Sequence, residues 1–143
     1  MPSPERMRGL GVALGRVAVA GDRFLLEGPM GAGKTTFVQG LAKGLDVRAE
    51  VTSPSFVIEN QYLGRLVLYH VDLYRLERVE PELWESLEEH LYGGGVTAVE
   101  WADRLPDQLR EGATVVRFEP RESSRRLMLA TSDERIASAT RLA

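Results

Sequence analysis

Gly28-Pro29-Met30-Gly31-Ala32-Gly33-Lys34-Thr35 has the residue types and spacing of a loop built to hold phosphate, G-x-x-x-x-G-K-[ST]. Glycines let the backbone curl so that successive N–H groups point inward at phosphate oxygens. Lys34 would set an ammonium against the β and γ phosphates, and the Thr35 hydroxyl would sit on Mg²⁺. A helix opening at this point adds the positive end of its dipole to the same anion. ATP and Mg²⁺ are the ligands this chemistry expects, with Gly28, Gly31, Ala32, Gly33, Lys34 and Thr35 around them.

Such a loop works only between a strand and a helix. Arg23-Phe24-Leu25-Leu26-Glu27 reads as a short buried strand directly upstream. Thr36 to Lys43 reads as an amphipathic helix that stops at Gly44. Before them, Ser3-Pro4 opens a helix to about Val19, with Met7, Leu10, Leu14 and Val17 on its apolar face.

The second half of the site should be a carboxylate at the C-terminal end of a neighbouring strand, holding Mg²⁺ or orienting the attacking water. Two apolar runs end in acid. Leu66–Val71 ends at Asp72, and Val96-Thr97-Ala98-Val99 ends at Glu100. The run before Glu100 is small and β-branched, as a central strand covered on both faces should be. Asp72 reads equally well as a turn or helix cap. His70 reads as a packed structural group before it reads as a base. Trp84 and Trp101 read as core or interface residues. Thr52 and Ser53 lie either in a loop that senses the γ-phosphate or in a turn fixed by Pro54.

The remaining elements follow from pattern. Phe56–Tyr62 and Leu66–Val71, joined by Leu63-Gly64-Arg65, spell an antiparallel hairpin. Pro81 opens a helix to about Tyr92, with Leu83, Leu87 and Leu91 on one face and Gly93-Gly94-Gly95 ending it. Pro106 closes a short segment after Trp101. Thr114–Phe118 and Arg126–Ala130 read as a second hairpin, and the last dozen residues as a helix or a frayed tail. The expected fold is α/β, a P-loop NTPase with a mixed, mostly parallel central sheet, flanking helices and antiparallel hairpin additions.

With 143 residues the chain suits a single domain, and its net charge of −3 argues against wrapping nucleic acid unaided. It has no cysteine, which excludes disulfides, thiolate metal sites and cysteine nucleophiles. No apolar stretch reaches the length of a membrane span, and the first residues carry no secretory signal. The cytosol is the expected location.

Taken in order, Gly-x-x-Gly-Ala-Gly-Lys-Thr-Thr-Phe, Val-Thr-Ser-Pro-Ser-Phe, Tyr-His-Val-Asp-Leu-Tyr-Arg-Leu and Val-Glu-Trp closely resemble the TsaE family over nearly the whole chain. Its members are bacterial ATPases required for the threonylcarbamoyladenosine modification of tRNA. The resemblance implies that Gly31, Gly33, Lys34, Thr35 and Thr36 contact nucleotide. It puts Thr35 and Glu100 at Mg²⁺, makes Asp72 the second acidic position, and sets Thr52 in a switch-like loop. It also implies partners: the metal-dependent threonylcarbamoyl transferase and its related dimerisation partner, with tRNA reached through that complex. Slow hydrolysis would reset the assembly between rounds. The chain departs from the family pattern at Pro29-Met30, where an acid and leucine are usual, and at Ser55, where threonine is usual.

Other functions meet specific obstacles. A GTP switch needs an Asn-Lys-x-Asp guanine reader, which is missing. A small-molecule kinase needs an acceptor pocket and an arginine-bearing lid, for which Arg121, Arg125 and Arg126 are the available residues. A non-enzymatic scaffold would bind nucleotide for stability alone. Arg75 is the arginine that a partner could move toward the phosphates.

Overall fold

The computed structural model describes residues 4–28, 33–49, 51, 59–73, 85, 88–89, 93–102, 105, 107–120, 125–131 and 133–142. Along these the chain runs α1 (Pro4–Val17), β1 (Arg23–Glu27), α2 (Lys34–Gly44), β2 (Glu59–Tyr62), β3 (Leu68–Asp72), β4 (Val96–Glu100), α3 (Asp107–Arg110), β5 (Thr114–Pro120), β6 (Arg125–Ala130) and α4 (Glu134–Leu142). The strands form one sheet in the order β2-β3-β4-β1-β5-β6. The inner four are parallel, and β2 and β6 join antiparallel at the edges. This is the mixed, mostly parallel sheet with two hairpin additions that the sequence pattern predicts.

Strand alternation sorts the side chains into two layers. Phe24, Leu26, Ala98, Val116 and Phe118 share one buried cluster with Leu14 of α1, Leu41 of α2 and Ile136 of α4. Leu25, Val71, Val99, Leu105 and Ala102 form a smaller cluster on the opposite face. Phe37 of α2 stands edge-on to both Phe24 and Phe118, with centroids 6.4 and 6.1 Å apart. The phosphate-loop helix is thereby seated across β1 and β5. Every residue of β4 is buried, as a central strand requires.

Strand β3 begins at Leu68, two residues later than the apolar run suggests. The turn before it is drawn onto the helices instead. Arg65 N–H donates to the Leu45 carbonyl, and its guanidinium donates to the carbonyls of Gly15 and Ala18 at 2.8 and 3.0 Å. These carbonyls lie at the C-terminal end of α1, where a cation also suits the helix dipole. An open cleft of about 710 Å³ lies here, lined by Arg16, Lys43, Asp46, Arg48 and Arg65. It lies at the C-terminal ends of α1 and α2, the opposite end of α2 from Lys34.

The C-terminal stretch is a helix. Arg135 fastens α4 to the turn before β1 through Asp22 at 3.0 Å and the Val17 carbonyl. Of the helix expected over 81–92, Glu85, Glu88 and Glu89 are described, and all three are helical and exposed. Phe56, Val57, Ile58 and Pro106 lie outside the described residues. No described helix is long and apolar enough to cross a membrane.

Candidate functional site

Strand β1 delivers the chain to Gly28, and Gly33 is the cap of α2. Gly28 holds φ at +139°, and a Cβ there would lie 2.5 Å from the Phe118 carbonyl oxygen. Gly33 holds φ at +98°. Both ends of the loop thus use conformations that side chains disfavour. Lys34, Thr35 and Thr36 form the first turn of α2. Gly31, Ala32, Pro29 and Met30 lie outside the described residues, as do Thr52, Ser53, Pro54, Ser55, Arg75 and Trp84.

Lys34 is 4% exposed. Its ammonium donates to the Gly28 carbonyl at 2.7 Å and lies 3.9 Å from the centroid of the Trp101 ring. A buried ammonium needs such compensation. Trp101 is therefore more than core: it follows β4 with φ at +60° and covers the loop lysine. The pattern showed only an aromatic beside an acid at a strand end, and that contact was not foreseen.

The two acids come together. In the parallel ladder of β3 and β4, Asp72 stands opposite Glu100 and His70 opposite Ala98. Leu68 and Ala98 belong to the cluster under α2, so the two-residue period puts His70, Asp72 and Glu100 on that same face. β4 in turn lies beside β1, with Glu100 opposite Leu26. Both carboxylates thus end their strands at the edge where β1 enters the loop. Glu100 is 5% exposed, and its Oε2 accepts a hydrogen bond from His70 Nε2–H at 2.5 Å. His70 is fully buried. It is the packed, hydrogen-bonded histidine expected, and its partner is the acid.

The donor set suits one kind of metal. Among the described residues no group of three or more His, Asp and Glu forms an all-protein cage. Mg²⁺ does not need one, because it keeps several waters and takes one or two protein oxygens with nucleotide phosphate. Thr35, Glu100 and Asp72 could supply those oxygens. A softer resident metal would want nitrogen or sulfur ligands.

The sequence model described as "Threonylcarbamoyl adenosine biosynthesis protein TsaE" matches residues 1–128. The chain belongs to the TsaE family. It is 46% identical over 109 residues to a relative from Nostoc named tRNA threonylcarbamoyladenosine biosynthesis protein TsaE, the match covering 71% of this chain and 65% of that one. A Treponema pallidum protein of the same name is 44% identical over 101 residues, covering 71% of this chain and 75% of its own. The crystal structure of YdiB from Bacillus subtilis superimposes with a TM-score of 0.76 at 30% identity, covering 99% of this chain and 89% of YdiB. The TsaE-like fold is therefore present across the described sheet.

A second charged group lies on the far face of the sheet, at the end of β1. Glu27, the residue before Gly28, is 8% exposed and pairs with Arg110 and with Arg117, the latter at 3.0 Å. Arg110 also donates to the Ala102 carbonyl at 2.5 Å, tying β1 to the segment after β4. Burial pushes the Glu27 carboxyl up, but the hydrogen bonds and charges of Arg110 and Arg117 outweigh it and hold its pKa below the ordinary carboxylate value. Sequence reading missed this group, since nothing marks Glu27 as different from a strand end.

A carboxylate whose folded pKa lies below its unfolded value adds stability that is complete above the unfolded value and is lost as pH falls through the folded one. Glu27→Gln should therefore lower the melting temperature at pH 7, and this deficit should shrink as pH falls below the ordinary carboxylate range. Paired thermal melts from pH 7 to pH 3 check it. A deficit that stays constant across that range would assign the loss to packing and not to charge.

Proposed function

We propose that this TsaE-family chain is a Mg²⁺-dependent ATP-binding protein with slow ATP hydrolysis. It would act in the threonylcarbamoyladenosine modification of tRNA as a nucleotide-dependent switch. Its partners would be the threonylcarbamoyl transferase and that enzyme's related dimerisation partner, in the cytosol, with tRNA reached through the complex. The names of its relatives support the pathway. The observation that carries the nucleotide chemistry is the registered pair Asp72–Glu100, one strand away from the strand that feeds Gly28 and Lys34.

In this reading the loop amides, Gly28, Gly31, Ala32, Gly33 and Thr36, with Thr52 in the switch-like loop, surround the nucleotide, and Lys34 turns from the Gly28 carbonyl to phosphate. Thr35, Glu100 and Asp72 hold the ion, which would neutralise charge on the phosphates. Lys34, Glu100 and Asp72 carry the chemistry, with one carboxylate also orienting water. Turnover is slow because no described arginine stands ready beside Lys34. Arg110 and Arg117 are engaged by Glu27. The kinase reading asks Arg125 and Arg126 to sit on a lid, but they pair with Pro120 and Glu119 in the β5–β6 ladder.

The test is a pull-down of the purified transferase pair with and without ATP–Mg²⁺. Recovery only with nucleotide is the expected result, and recovery under neither condition would end the switch reading. Glu100→Gln should lower single-turnover hydrolysis by on the order of 10²-fold, the usual loss for a group that positions or activates water. ATP affinity measured by calorimetry without metal should change little. Hydrolysis by Glu100→Gln at the parent rate would remove Glu100 from the chemistry.

A further inference from the structure

His70 raises a question that stability does not answer. Its imidazole is fully buried in β3, opposite Asn60 of β2 and Ala98 of β4 in the ladder, and its Nδ1 has no partner among the described residues. The Glu100 carboxylate is the hydrogen-bond partner of its Nε2–H, at 2.5 Å. Replacing a buried polar pair by apolar groups of the same shape is often neutral or stabilising. A half-satisfied imidazole is thus a poor choice for packing alone. What it does achieve is geometric. The ring is held by the sheet ladder, two positions before Asp72, and fixes one oxygen of an acid on the next strand.

We propose that His70 is a positioning residue for Glu100: its Nε2–H pins Oε2, which leaves the other carboxylate oxygen oriented for the divalent ion bound with nucleotide. The inference rests on the Mg²⁺–nucleotide reading of the site and adds to it a residue that would touch neither ion nor nucleotide. Hydrogen-bond partners of metal-ligating groups set ligand orientation, and their loss commonly weakens metal affinity by about 10- to 100-fold. His70 has the burial and rigidity for that task. Glu100 without it could rotate about its side-chain torsions, because no other side-chain hydrogen bond to its carboxylate is seen among the described residues.

The experiment is Mn²⁺ binding to the protein complex with the non-hydrolysable analogue AMPPNP, read from the free Mn²⁺ signal in electron paramagnetic resonance. His70→Asn and His70→Gln are compared. The glutamine amide reaches close to the position of Nε2, whereas the asparagine amide stops near Nδ1. His70→Asn should weaken Mn²⁺ binding by about 10- to 100-fold. His70→Gln should restore it to within about threefold of the parent, and AMPPNP affinity in EDTA should be the same in all three proteins. His70→Leu should behave as His70→Asn. Should the leucine variant fail to fold, the Asn–Gln pair decides alone, with thermal melts confirming that both are folded. Equal Mn²⁺ affinity in the Asn and Gln variants would overturn the proposal. Glu100→Ala separates it from the underlying reading: if that change leaves Mn²⁺ binding intact, Glu100 is no ligand, and the metal assignment fails along with the role given to His70. If Glu100→Ala loses Mn²⁺ and His70→Asn does not, the metal assignment stands and the positioning role falls.

Discussion

Lys34→Ala is expected to weaken ATP binding about 30-fold, the equivalent of about 2 kcal/mol for a charge-assisted contact. The melting temperature should stay within about 4 °C of the parent chain. The two halves of this result have different physical sources. Lys34 is 4% exposed, and the contacts that compensate its ammonium include the Gly28 carbonyl at 2.7 Å and the Trp101 ring at 3.9 Å. Those gains are set against the desolvation of a full charge, so removing the side chain changes stability little. Phosphate offers far more than a carbonyl and a ring, and only the bound state loses that. Lys34→Arg should not rescue binding. A planar guanidinium directs its donors in a fixed fork, where an ammonium presents a compact point charge. Calorimetric titration with ATP measures both variants. An alanine variant that binds ATP as tightly as its parent would take Lys34 out of the phosphate site.

The contrast between what sequence pattern reveals and what it hides is sharp at this site. The strand before Gly28 and the helix that opens at Lys34 are legible because they are local objects whose apolar runs and glycine boundaries lie within one short stretch. The central strand before Glu100 is legible because burial on both faces demands an unbroken apolar run. Asp72 and Glu100 were each visible as acids ending strands, but their adjacency was not. It depends on β3 lying beside β4 and on the register that sets Asp72 opposite Glu100. The hydrogen bond from His70 depends on the same register, since a one-residue slip would turn the imidazole to the other face. The Lys34–Trp101 contact needs the chain to turn sharply after β4, at a positive φ that no propensity rule assigns to tryptophan. Glu27 was hidden for a different reason: its partners Arg110 and Arg117 are more than eighty residues away in sequence. The missed features are thus long-range pairings, and the recovered ones are local patterns.

The largest stability effect should come from glycines that carry no chemistry. Gly40→Ala on α2 is expected to destabilise the chain by about 2 kcal/mol, lowering the melting temperature by on the order of 5 °C. An alanine inside a helix ordinarily gains about 1 kcal/mol over glycine, so the expected sign is the reverse of the helix-propensity rule. Space decides it. A Cβ on Gly40 would lie 2.1 Å from the Arg8 carbonyl oxygen, and one on Gly44 would lie 2.3 Å from that of Val12. The facing helix answers in kind: a Cβ on Gly11 would meet the Phe37 carbonyl oxygen at 2.3 Å, and one on Gly15 that of Leu41 at 2.4 Å. Helices α1 and α2 therefore touch backbone to backbone along two matched glycine pairs spaced four apart. A side chain can rotate away from a clash, but a helical carbonyl cannot, so the helices must separate. Gly9→Ala supplies the opposing case on α1, because nothing lies within 4 Å of its added carbon. That change should raise stability by about 0.5–1 kcal/mol through propensity alone. Urea unfolding of the two variants reads the difference directly. If both shift in the same direction, the close crossing does not govern how α2 is seated, and the placement of Lys34 and Thr35 at its first turn must rest on Phe37 and the sheet instead.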